Sequence, residues 1–203
     1  LVASYAAPVQ IFVFHYMAYL KKRSARVSKG LRILAAIRLK ETDGMPVEIE
    51  KNIYIGSIGA AINNDKLLEI GITDILSLCG DIGCEKMDNV VYKYYNVSDK
   101  PEKNMELFVI LKECINYIDQ VISKNDNNNN NTKRKKILIH CMMGKSRSAT
   151  IIIAYLMYKN NIGWMEALRC VREKRSIVEP NLGFISLLKQ FEKDHYLCTY
   201  DIS

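Results

Sequence analysis

The stretch ILIHCMMGKSRSATIIIAYLMY (137–158) decides the fold. Its two apolar runs differ in length. KILIH (136–140) is short and reads as a buried strand, while residues 147–159 are long and apolar enough to be a central helix. Between them, Cys141 and Arg147 stand six residues apart, with Gly144 between and Ser148 just behind. A strand that stops at His140, a tight loop and then a helix form an anion-binding geometry. Backbone N–H groups converge on one spot, and the helix dipole adds partial positive charge there. A thiolate is the nucleophile such a spot favours, which makes Cys141 a candidate. Gly144 permits a bend that a Cβ would oppose. Arg147 carries a planar fork that can hold two phosphoryl oxygens at once, which lysine cannot do. Ser148 can donate a hydrogen bond to the sulfur and ease its departure. Met142, Met143, Gly144, Lys145, Ser146 and Arg147 then form the phosphate-binding loop, and the chemistry reads as phosphoryl transfer to cysteine. The leaving oxygen needs a proton and the attacking water needs a base, and one carboxyl can do both in turn. Asp99, in NVSDKPEKN (96–104), follows a strand and precedes a helix, where a loop can deliver it.

Outward from this stretch the pattern is one of strands alternating with helices. NIYIG (52–56), ITDILSL (72–78) and VVYKYYNV (90–97) read as strands. NNDKLLEIG (63–71) reads as a short helix, and residues 102–122 carry apolar positions at helical spacing. WMEALRCVREKR (164–175) and NLGFISLLKQFEKDH (181–195) read as amphipathic helices. The class expected is α/β, with a largely parallel central sheet flanked by helices. The run NDNNNNN (125–131) cannot bury itself and predicts a solvated insert over 125–132. KRKK (133–136) behind it reads as a solvated loop edge, with a targeting signal or a contact patch as the alternatives.

The net charge of +7 does not describe the whole chain. Residues 1–40 hold eight Lys and Arg and no acid; the remainder holds 21 bases and 22 acids. A general attraction for nucleic acid is therefore not expected of the body. The six cysteines show neither zinc spacing nor the density of a disulfide scaffold, so free thiols in a reducing, cytoplasmic setting are expected. Residues 1–46 form an N-terminal segment and 47–197 the catalytic domain. Residues 1–20 are uncharged and KKRSARVSKGLR follows, an order that suits a membrane contact through residues 1–40 and not a secretory signal. A helix packed on the domain and a leader foreign to it are the other two readings.

HCMMGKSRSAT resembles the HCxxGxxRS signature of the cysteine-dependent protein phosphatases. The likeness runs from Ile53 to Phe191 and is similar in its opening and closing segments to the small, atypical dual-specificity phosphatases. It implies Cys141 as nucleophile, Arg147 as phosphate clamp and Asp99, in the VSD of 97–99, as general acid and base. It also implies that Asn181 braces the loop and His140 tunes the thiolate indirectly, with no metal and no cofactor. The expected substrates are phosphoproteins bearing phosphotyrosine or phosphoserine/threonine. Lys145 departs from the family pattern and is similar to relatives that act on phospholipid head groups, so a phosphoinositide phosphatase is the alternative. An inactive phosphate-binding module is the alternative of another class, although such modules usually lose the cysteine or the arginine. Cys79 stands where some relatives carry a cysteine that protects the oxidised nucleophile by a disulfide.

Overall fold

The computed structural model describes residues 29–81, 83–99, 105–125 and 134–200. Strands β1 (Val47–Glu50), β2 (Ile53–Gly56), β3 (Asp74–Ser77), β4 (Val91–Tyr94) and β5 (Ile137–His140) form one sheet in the order β1-β2-β5-β3-β4. All pairings are parallel except β1 with β2, so the largely parallel sheet expected from the sequence is present. β5 lies at its centre, between β2 and β3, with all four residues buried. That explains why it reads as a continuous apolar run and not as an alternating one: helices cover both faces.

Successive side chains on each strand serve different layers. Ile53, Ile55, Leu76, Ile137 and Ile139 face a core built with α4 (Met105–Ser123), α5 (Arg147–Asn160), α6 (Trp164–Lys174) and α7 (Leu182–Tyr200). Tyr54, Ile75 and Leu138 pack on the other side with Leu67 of α3 (Asn64–Ile70). Helix α5 is buried from Ser148 to Met157, the central helix its composition predicts.

Three elements escaped the sequence reading. β1 is a four-residue edge strand, VEIE, with only Ile49 buried. The short helix α2 (Ile58–Ala61) is capped by Ser57, whose hydroxyl accepts from the N–H groups of Gly59 and Ala60. A helix over residues 29–43, α1, packs through Ala36 against Ile58 and Cys79. Its approach to α2 is so close that a Cβ on Gly59 would lie 2.2 Å from the Leu39 carbonyl carbon. Residues 29–46 are therefore docked on the domain that the sequence reading began at residue 47. The periodicity of α1 was obscured because Leu31, Leu34 and Ile37 are apolar yet exposed, so the buried face is not marked by composition.

Residues 1–28 lie outside the described residues, as does most of the membrane contact expected of 1–40. No described helix is long and apolar enough to cross a membrane. Residues 126–133 of the Asn-rich segment also lie outside them. Its two ends are joined: Asn125 Nδ2 donates to the Lys135 carbonyl at 3.0 Å, and Lys135 N donates to Asn125 Oδ1 at 2.6 Å. They meet at the start of β5, whereas Cys141 follows its end.

Candidate active site

The loop after β5 is built by turning its carbonyls outward. The Cys141 carbonyl accepts from His140 Nδ1 at 3.2 Å, and the Met142 carbonyl from Ile58 N at 3.1 Å. Arg175 donates to the next two, from Nη2 to Met143 O at 3.1 Å and from Nε to Gly144 O at 3.0 Å. Glu179 N serves the Lys145 carbonyl at 2.8 Å, and Thr150 serves that of Ser146. A planar trans peptide that sends its oxygen outward sends the following N–H inward. Gly144 completes the bend with φ +65°, and a Cβ there would lie 2.5 Å from the Gly56 carbonyl oxygen. Both the conformation and the contact require glycine.

On the inner side, Cys141 is buried and its Sγ accepts from Gly144 N and from Ser148 Oγ, each at 3.3 Å. Both are donors aimed at the sulfur, from the loop and from the first turn of the following helix. Arg147 opens α5, and its Nη1 donates to the Val97 carbonyl at 3.1 Å. Among the described residues its Nε is a buried donor without a hydrogen-bond acceptor, 3.5 Å from Asp99 Oδ2. Asp99 is thus brought to the loop from a segment beyond β4. Its Oδ1 accepts from Ser146 Oγ at 2.9 Å and from Asn181 Nδ2 at 3.3 Å. Asn181 N donates in turn to Ser146 Oγ, and Asn181 Oδ1 accepts from Phe184 N at the start of α7. The structure thereby joins Cys141, Arg147, Asp99, Ser148 and Asn181 at one loop. Among the described residues no group of three or more His, Cys, Asp or Glu side chains could hold a metal ion.

His140 lies behind the loop. A carbonyl only accepts, so Nδ1 carries the proton in its contact with the Cys141 carbonyl. Burial pushes its pKa down to about 4, and the nearby Arg147 charge acts in the same direction. The unfolded chain therefore binds a proton that the folded one refuses between the ordinary value near 6.5 and about 4. Stability is complete above that window and falls as pH drops through it, by about 3 kcal/mol in all. Denaturant midpoints measured from pH 7 to 4 should show this loss in the wild type and a smaller one in His140→Asn.

Arg175 is the residue the sequence reading missed. It closes α6 beside Arg172 and Lys174, and nothing in VREKRS (171–176) marks which of the basic residues turns inward. Cys79 is buried just past β3, close enough to Cys141 and Arg147 for their charges to act on its thiol, which burial pushes up.

A cysteine and an arginine set on one strand, loop and helix, with the Asp99 carboxylate brought against that loop from the segment after β4, form the arrangement a cysteine-dependent phosphatase needs. A family model described as the dual specificity phosphatase catalytic domain matches residues 53–194. Dual specificity protein phosphatase 1 of Arabidopsis thaliana is 34% identical over 175 residues, spanning 86% of this chain and 83% of its own. Dual specificity protein phosphatase 1B of the same plant is 40% identical over 146 residues, spanning 72% and 81%. The crystal structure of DUSP15 is similar with a TM-score of 0.63 at 28% identity, covering 73% of this chain and 88% of that one. Human DUSP28, at 23% identity and a TM-score of 0.65, shares the fold over 74% of this chain and 95% of its own. The chain belongs to the dual specificity phosphatase family.

Proposed function

We propose that this phosphatase hydrolyses phosphotyrosine and phosphoserine/threonine in proteins through a phosphocysteine intermediate formed on Cys141. The observation that carries the reading is the convergence of Cys141, Arg147 and Asp99 on one loop whose carbonyls are all held outward. Cys141 thiolate attacks phosphorus while Asp99 protonates the departing ester oxygen. Arg147 and the amides of Met142 to Arg147 hold the phosphoryl oxygens as charge develops on them. Asp99 then takes a proton from water, which attacks the phosphocysteine. The sulfur leaves as thiolate under the Ser148 hydroxyl, releasing inorganic phosphate. Asn181 holds Asp99 over the loop, and neutral His140 holds the first carbonyl. Asp99→Ala should lower kcat/KM by roughly 100-fold or more on phosphopeptides, whose leaving groups are poor, and far less on p-nitrophenyl phosphate. Equal losses on both substrates would remove Asp99 from this role.

One observation bears on protein against lipid. Lys145 Nζ is paired with Glu179 Oε2 at 2.9 Å, and that hydrogen bond is the first cause of its raised pKa. The cation at the loop is already matched by a carboxylate, so it adds little net attraction for a highly charged phosphoinositide head group. This supports protein substrates.

Vanadate-sensitive hydrolysis of p-nitrophenyl phosphate, followed by parallel assays on phosphopeptides and on phosphoinositide vesicles, tests the function. Turnover of phosphopeptides is expected. Preferential turnover of the lipid would establish the alternative substrate class, and peptide binding without turnover in reduced protein would establish a binding module.

Cys79 is the proposed redox partner. Peroxide converts the Cys141 thiolate to sulfenic acid, which condenses with the Cys79 thiol to a disulfide and releases water. Mass spectrometry after mild peroxide treatment should find the Cys79–Cys141 cross-link, and activity should return with a thiol reductant; sulfinic Cys141 without the cross-link would exclude it. Cys79, Cys84, Cys114, Cys141 and Cys170 are free thiols, which supports a reducing, cytoplasmic setting.

A further inference from the structure

The outward side of the loop leads, through Arg175, to Asp43, which precedes the 53–194 family match. Arg175, buried to 7% exposure, gives Nε and one Nη2 hydrogen to the carbonyls of Gly144 and Met143. Its guanidinium is gripped from the other side by Asp43, through Oδ1 at 3.0 Å and Oδ2 at 2.6 Å. Asp43 is the last residue of α1, 132 positions away in sequence. A carboxylate at a helix C-terminus opposes the helix dipole, so its position there is explained by the arginine and not by the helix. A second connection runs from the same residue. The Asp43 carbonyl accepts from Ser57 Oγ at 2.8 Å, and Ser57 caps α2, whose Ile58 N–H holds the Met142 carbonyl. Two consecutive loop carbonyls, those of Met143 and Gly144, thus depend on the arginine that the Asp43 carboxylate holds, and the donor to a third, that of Met142, follows directly on the Ser57 that the Asp43 carbonyl binds.

We propose that Asp43 is a positioning residue for the phosphate loop, acting through Arg175, and that this makes helix α1 a working part of the active site. Without the carboxylate, Arg175 is a buried cation lacking its counter-ion, and it relaxes toward solvent or another anion. The Met143 and Gly144 carbonyls then lose their donors, and their peptide planes are free to rotate. Each rotation withdraws an N–H from the phosphoryl oxygens. The loss appears first in phosphate affinity, because the nucleophile and the acid remain in place. The inference rests on the reading of this loop as a phosphate site.

Tungstate affinity, measured by calorimetry on the full chain, tests this without requiring turnover, and kinetics on p-nitrophenyl phosphate accompany it. Asp43→Asn is expected to weaken tungstate binding and raise KM by about tenfold each, with kcat changed by less than about threefold. Asp43→Glu, which keeps the charge but lengthens the reach, should recover part of the affinity. Glu69→Gln, which removes a surface carboxylate paired with Lys66, should leave affinity unchanged. Tungstate affinity within about twofold of wild type in Asp43→Asn, whatever its melting temperature, would show a brace of the fold only and overturn the proposal. If Asp43→Asn does not fold, unchanged affinity in Asp43→Ser, which also removes the carboxylate, overturns it equally. Wild-type protein that binds tungstate but turns over no phosphoester would sink the phosphatase reading alone.

Discussion

Cys141→Ser is expected to abolish turnover while leaving phosphopeptide binding in place. Serine keeps the small volume of a side chain that is only 1% exposed, so the loop should not rearrange. The amide of Gly144 and the hydroxyl of Ser148 still point at the substituted atom. What is lost is the nucleophile. A hydroxyl is almost entirely neutral near pH 7, and no histidine or carboxylate in hydrogen-bond contact with Cys141 Sγ could activate it among the described residues. Turnover should fall at least about ten-thousandfold, with peptide affinity within about tenfold of wild type. A stopped assay on phosphopeptide and a titration with the same peptide read the two quantities separately. Residual turnover above about one part in a hundred would show that another group performs the first step.

Arg147→Met should lose both binding and turnover. The guanidinium is anchored by the Val97 carbonyl through Nη1, and its Nε is a buried donor without an acceptor of its own. A planar fork in that position meets two oxygens of a phosphoryl group, and charge-assisted bonds of this kind strengthen as charge accumulates in the transition state. Methionine fills the space but returns neither charge nor donors. The expected loss in kcat/KM is at least about a thousandfold, about 4 kcal/mol of transition-state stabilisation. Arg147→Lys restores charge without the fork and should recover only a small part. Recovery to near wild type by lysine would mean that charge alone suffices.

The two variants are expected to differ because different work is proposed for the two residues, and their proximity was legible for one reason. Cys141, Gly144, Arg147 and Ser148 fall within eight consecutive residues, so a strand, a loop and a helix bring them together without help from distant chain. Asp99 was suggested by its place after a strand and by the family likeness. Its contacts with Ser146, Arg147 and Asn181 are tertiary and could not be read from the chain. Lys145 was legible as an unusual cation, but its partner Glu179 is 34 residues away, and pairing changes what that cation means for substrate choice. β1 and α1 escaped because one is too short to show alternation and the other exposes Leu31 and Leu34, so its apolar residues do not mark one buried side.

By itself the sequence determined a largely parallel α/β core and a candidate phosphate-binding loop at the end of its central strand. Both follow from local pattern: continuous apolar strands, helical spacing, and a Cys-to-Arg interval set by one turn of chain. Only the tertiary structure decided what holds that loop open toward phosphate. Its carbonyls are satisfied by Ile58, Arg175 and Glu179, and Arg175 by Asp43, from three separate regions of the chain. A backbone carbonyl accepts from whichever donor the fold presents, so such pairing leaves no spacing in the sequence to read.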